Sequence, residues 1–250
     1  MGMMHVYLKD LVTLLSLVSA MASMALALEG QLPLACFFVW LAWVFDGLDG
    51  VVARLTKQKN KIGPHLDNTV DLVSSAIAPA VLVYAAYRPM LGLYGALALA
   101  SLPAIFGVLR HARGYASPAE ATNYWIGLPR TYSGMAIAGY LGSHLFAFEA
   151  GRWAGLAVVV LVPALGLTTI PWQGRHHKGL KPHQIFFMLS TFLTFVAGLV
   201  AWVAGYGLTW FLDGLTLWMF GYVLLAGLVA IPAEERQAHR AFVTEWKKGL

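Results

Sequence analysis

The sequence predicts an all-α fold, a polytopic membrane bundle of about eight spanning helices, and three observations predict it. Hydrophobic residues make up 59% of the 250 and charged residues 12%, with a mean hydropathy of +0.67. Soluble domains carry about twice that charge, so most of this surface must face something other than water. Runs without Asp, Glu, Lys or Arg recur at 11–28, 30–45, 72–87, 89–109, 131–148, 153–174, 185–212 and 214–233. The basic residues, finally, gather at alternate ends of those runs.

The runs are taken as helices because backbone groups in lipid must be satisfied within the segment. Short breaks separate them at Glu29-Gly30-Gln31, Arg88-Pro89, Glu149 to Arg152, and Gly205 to Gly207. Runs 30–45 and 72–87 are short for a crossing of about 20 residues. Their helices therefore continue through the aspartates, into 46–55 and 67–71. The whole chain, 1–250, reads as a single integral membrane domain. Its parts are a core of six helices at about 9–171, extra spans at about 185–233 and a tail at 234–250.

Orientation follows from Lys and Arg counts between spans. A cytoplasmic N-terminus puts fifteen of the seventeen inside, leaving only Arg88 and Arg152 outside. Both termini are then cytoplasmic, as expected for a multi-pass protein of the cell's inner membrane. The pI near 9.4 reflects this asymmetry and contact with anionic lipid heads, not a nucleic-acid partner. The segment 11–28 has the length of a true span, so no cleaved signal is expected. The lone Cys36 gives no disulfide framework. The tail reads as an amphipathic helix lying on the membrane surface, with Phe242 and Trp246 one turn apart.

Function is carried by four acids. Asp46 and Asp49 lie before the basic end of the second span, and Asp67 and Asp71 in the first turns of the third. Residues 46, 49, 50 and 53 share one helical face, as do 63, 67 and 71. A short loop makes the two helices antiparallel neighbours, so their acidic faces can meet at one depth near the cytoplasmic interface. Acids within a membrane are costly and usually functional. Four of them repel strongly unless compensated, and Arg54 adds only one positive charge. Divalent cations are the natural partner, and an all-oxygen ligand set points to Mg²⁺, Mn²⁺ or Ca²⁺. Two such ions can clamp a diphosphate and stabilise a leaving oxygen. Gly47, Gly50, Ala53 and Gly63 leave room for a nucleotide against the backbone.

Asp46-Gly47-Leu48-Asp49-Gly50-Val51-Val52-Ala53-Arg54, then eight residues to Gly63, three to Asp67 and three to Asp71, resembles the CDP-alcohol phosphotransferase signature, D-x2-D-G-x2-A-R-x8-G-x3-D-x3-D. All eight fixed positions match. The resemblance implies that Asp46, Asp49, Asp67 and Asp71 bind two divalent metals on the diphosphate of a CDP-lipid. Asp71 would also take the proton of the acceptor hydroxyl. Arg54 would help hold the phosphates, and Gly50, Ala53 and Gly63 would shape the cytidine slot. CDP-diacylglycerol is the implied donor, CMP the leaving group, and a homodimer the implied assembly.

Within the family, Phe45 to Gly50, Leu66-Asp67-Asn68, Asp71 to Ala80, Leu109 to Arg113 and Ile126-Gly127-Leu128-Pro129 are most similar to the phosphatidylserine synthases. Departures fall at Gly114-Tyr115, at Arg130 to Ser133 and at Val51. Arg110, Arg113 and Arg130, at the cytoplasmic mouth, could receive the carboxylate of serine in bidentate fashion, or a lipid phosphate. The alternative is a phosphatidylcholine synthase, for which Tyr115, Tyr124, Trp125 and Tyr132 would supply an aromatic box for choline. A cation-coupled transporter is a remote alternative, since it needs acids reachable from both sides. The pair His176-His177, with His183, is a weak metal motif in a basic loop.

Overall fold

The computed structural model describes residues 7–57, 62–116, 124–172, 182–225 and 231–248, and it is helical almost throughout. Helix α1 (Leu8–Leu28) opens on a cap in which the Asp10 carboxylate accepts the Tyr7 N–H at 2.9 Å. Helix α2 (Leu32–Thr56) follows with a proline in its first turn, where the missing N–H costs nothing. The two run antiparallel. Thr13, Ser16, Ser19 and Ser23 are buried on α1, and such small side chains let helix backbones approach closely. The Ser23 hydroxyl donates to the Ala35 carbonyl across the pair at 2.8 Å.

Helix α3 (Gly63–Leu72) runs into one π-helical turn, Val73–Ile77, and then into α4 (Ala78–Ala116). The Ser75 hydroxyl donates to the Asp71 carbonyl at 2.5 Å. In a regular helix that oxygen belongs to the Ser75 N–H, and such competition accompanies the widened turn. The turn is clamped from both sides. A Cβ at Gly134 would stand 2.5 Å from the Ser75 carbonyl oxygen, and one at Gly107 would stand 2.5 Å from the Ala76 Cβ.

Helix α5 (Arg130–Gly142) is the centre of the bundle, with Met135 to Leu141 buried along its whole circumference. It packs against α2, α4, α7 (Glu149–Leu165) and α9 (Leu208–Leu225). One turn, α6 (His144–Ala147), joins α5 to α7, and α8 (Pro182–Ala201) precedes α9. Among the described residues, five helical stretches are long and apolar enough to cross a membrane: 8–28, 32–56, 63–114, 185–206 and 208–225. The third, of 52 residues, is bent at Gly92 and so offers two arms. With α5 and α7, of 13 and 17 residues, the described bundle has the expected number of segments.

Several breaks differ from the expected ones. The helix runs through Arg88-Pro89 and bends at Gly92 (φ 70°). Residues Glu149 to Arg152 do not break a helix but form the first turn of α7, where an acid favours the N-terminal dipole. Asp213 sits inside α9. It accepts the His144 backbone N–H at 2.8 Å and faces that ring's Nδ1 at 2.6 Å, tying α9 to the start of α6. The breaks at Gly30 and at Gly205 and Gly207 stand where expected.

Between α4 and α5 the chain forms β1 (Trp125–Ile126), which pairs antiparallel with β2 (Pro171–Trp172) beyond α7. The Arg113 guanidinium holds this corner. It donates to the carbonyls of Leu167 (2.7 Å), Thr168 (3.0 Å), Ile126 (2.5 Å) and Gly166 (2.6 Å). Gly127 makes the approach possible. Its φ is +73°, and a Cβ there would stand 2.4 Å from the Gly166 oxygen and 2.7 Å from Arg113 Nη2. Gly127→Ala is therefore expected to cost about 3 kcal/mol through strain and lost donors, read as a lower midpoint in thermal unfolding in detergent.

Helix α10 (Ala233–Lys248) closes the chain. It presents a buried face to the protein, with His239 and Val243 at 2% and 6% exposure. The basic loop carrying Arg175, His176, His177, Lys178 and Lys181 lies outside the described residues, as do Lys59, Lys61 and the side chains of Tyr115 and His183.

Candidate active site

Both acid-bearing faces come from ordinary helix geometry. Asp46 and Asp49 are one turn apart near the end of α2, and Asp67 and Asp71 one turn apart on α3. Carboxylate oxygens of Asp46, Asp49 and Asp67 all lie within 4.8 Å of one another. That spacing suits a shared divalent cation, and the all-carboxylate donor set suits Mg²⁺ or Mn²⁺ better than zinc. Asp71 lines the same cleft, but its Oδ2 accepts a 2.6 Å bond from Arg130 Nη2. The other terminal nitrogen of Arg130 donates to His111 Nδ1, so that ring nitrogen carries no proton.

Asp49 is oriented from α1, where the Thr13 hydroxyl donates to its Oδ2 at 2.5 Å. Thr13 in turn lies over the Lys9 carbonyl at 3.1 Å. The cleft has a volume of about 490 Å³ and is lined by Asp46, Asp67 and Asp71 together with Arg110, His111, Trp125 and Arg130. Arg110 stacks its guanidinium over the Trp125 ring, 5.9 Å from the centroid, a favourable cation–π geometry.

The structure brings the four aspartates together with Arg110 and Arg130. Gly47 faces open space, and a Cβ at Gly50 would meet only Arg54 Nη1, at 3.5 Å. Arg54 is exposed on the end of α2 and Ala53 half-buried beside it. Gly63 is buried at the first turn of α3. Arg110 and Arg130 line the cleft. Arg113 is not brought there, because its guanidinium is spent on the four carbonyls of the corner. Two contributions escaped sequence reasoning: the pairing of Arg130 with Asp71, and His111 behind it. An arginine directly after Pro129, at the mouth of a span, could have been matched to an acid on the neighbouring helix.

Residues 6–229 match the CDP-alcohol phosphatidyltransferase family. The chain belongs to that family. It is accordingly a transferase of phospholipid synthesis, built as a polytopic helical membrane protein. This phosphatidyltransferase is 29% identical to a CDP-diacylglycerol–serine O-phosphatidyltransferase of Mycobacterium leprae, over 79% of this chain and 68% of the relative. It is also 29% identical to the enzyme of the same name from Helicobacter pylori, over 84% of this chain and 90% of the relative. A phosphatidylcholine synthase of Pseudomonas aeruginosa is similar at 28% identity, over 68% of each chain.

Proposed function

We propose that this phosphatidyltransferase makes phosphatidylserine, transferring the phosphatidyl group of CDP-diacylglycerol to L-serine with release of CMP. The observation that carries the reading is the cleft itself, in which converging carboxylates share the lining with Arg110 and with Arg130, the latter paired to Asp71. Asp46, Asp49, Asp67 and Asp71 would hold two divalent cations, Mg²⁺ or Mn²⁺. When bound, these supply neutralisation of the diphosphate and of the charge that gathers on the leaving oxygen. By the family signature, Arg54, Gly50, Ala53 and Gly63 would shape the nucleotide slot.

The serine hydroxyl oxygen attacks the lipid-side phosphorus, and the bond from that phosphorus to the bridging oxygen breaks. CMP leaves with that oxygen. The hydroxyl proton passes to Asp71 through Oδ1, while Arg130 fixes the carboxylate by Oδ2. A positioned carboxylate of this kind contributes about 10²–10⁴ in rate. Arg110 receives the serine carboxylate, held in place by its stack on Trp125.

The aromatic residues favour serine over choline. Trp125 already carries Arg110 on its face, and Tyr132 is stacked on Tyr222 with centroids 4.4 Å apart. That leaves no open cage of the kind a quaternary ammonium prefers among these described rings. The Lys and Arg asymmetry places the cleft and both termini on the cytoplasmic side, and the family resemblance favours a homodimer. The reading is tested by Arg110→Gln. It should raise KM for serine about 30-fold, the worth of a charge-assisted hydrogen bond, with KM for CDP-diacylglycerol unchanged. An unchanged serine KM would remove Arg110 from the acceptor site.

A further inference from the structure

Helix α10 lies beyond the family match, which ends at residue 229. Its shielded positions are Glu235 and Arg236, His239, Phe242 and Val243, and Trp246. That is a helical period of three to four, so one face is laid against the rest of the chain. Among the described residues, two side-chain hydrogen bonds fix this face to the small ladder. The Tyr124 hydroxyl, one residue before β1, donates to the Glu235 carboxylate. His239 Nε2, itself 2% exposed, meets the Thr169 carbonyl, two residues before β2, at 3.2 Å. A carbonyl only accepts, so Nε2 carries the ring proton.

The ladder needs such support. Two residues per strand form far too little sheet to be stable alone. Arg113 grips it through the carbonyls of Ile126 and of Gly166 to Thr168, and α10 grips its flank through Tyr124 and Thr169. What the ladder presents to the cleft is Trp125, the ring on which Arg110 stacks. We propose that α10 is a strap that positions Trp125, and through it Arg110, and so sets the affinity of the enzyme for its acceptor alcohol. His239 and Tyr124 are positioning residues in this account, touching neither substrate nor metal. The proposal rests on the reading of Arg110 in the cleft as part of the acceptor site.

The test uses the full chain in lipid nanodiscs, with KM for L-serine, KM for CDP-diacylglycerol and kcat measured for wild type, His239→Gln, and the double variant Tyr124→Phe with His239→Leu. The double variant should raise the serine KM about tenfold, as expected from two modest hydrogen bonds. Its kcat and donor KM should stay within about twofold of wild type, since nothing at the aspartates has moved. His239→Gln, which keeps an N–H in the Nε2 position, should behave as wild type. A double variant with unchanged serine KM, or with kcat and both KM values degraded together, would overturn the strap. A wild-type protein that releases no CMP with L-serine would instead overturn the acceptor-site reading, and the strap with it.

Discussion

Asp71→Asn is expected to lower CMP release about a thousandfold, within the range for loss of a positioned general base. The substitution keeps the shape of the side chain and removes its capacity to take a proton. The local helix should survive, because the Ser75 bond runs to the Asp71 backbone carbonyl and not to its side chain. Arg130 loses a charged partner but keeps His111 as an acceptor. Affinity for CDP-diacylglycerol, read as thermal stabilisation by the lipid, should therefore fall far less than turnover. Turnover near wild type would show that the proton goes elsewhere.

Arg113→Met is expected to act on stability rather than chemistry, costing about 4 kcal/mol. The guanidinium satisfies four carbonyl oxygens at the end of α7 and beside β1. Methionine fills similar volume and supplies no donor, so all four oxygens lose their bond together. The measurement is the unfolding midpoint in detergent, alongside serine KM at a temperature where the variant remains folded. A stable variant with a large loss of serine affinity would mean that Arg113 reaches the acceptor after all.

That pair of residues shows where the sequence was informative and where it was not. The aspartates were legible because intramembrane acids are expensive, and because spacings of three and four place them on one helical face. The helices were legible from the charge-free runs, but runs without charge do not reveal bends. The turn at Gly92, three residues past Pro89, looks in sequence like any glycine in an apolar stretch. The π-helical turn after Asp71 depends on Gly107 and Gly134, which are distant in the chain and meet it only in the fold. Arginines were ambiguous for a different reason. A guanidinium that stacks on a ring, one that pairs with an aspartate and one that caps carbonyls are the same residue type near the same membrane face. Only contacts separate Arg110, Arg130 and Arg113. The tail was read correctly as amphipathic, yet periodicity alone cannot say whether lipid or protein covers the apolar side. In the fold, the face that carries His239 and Val243 is buried against the rest of the chain.

The central claim is tested most directly by CMP release from CDP-diacylglycerol by the purified chain with Mg²⁺ or Mn²⁺, offering serine, choline, inositol and glycerol 3-phosphate separately. Rapid release with L-serine, loss of activity on chelation of the metal, and little release with the other three are expected. Release driven by choline, or by none of the four despite binding of the CDP-lipid, would contradict it.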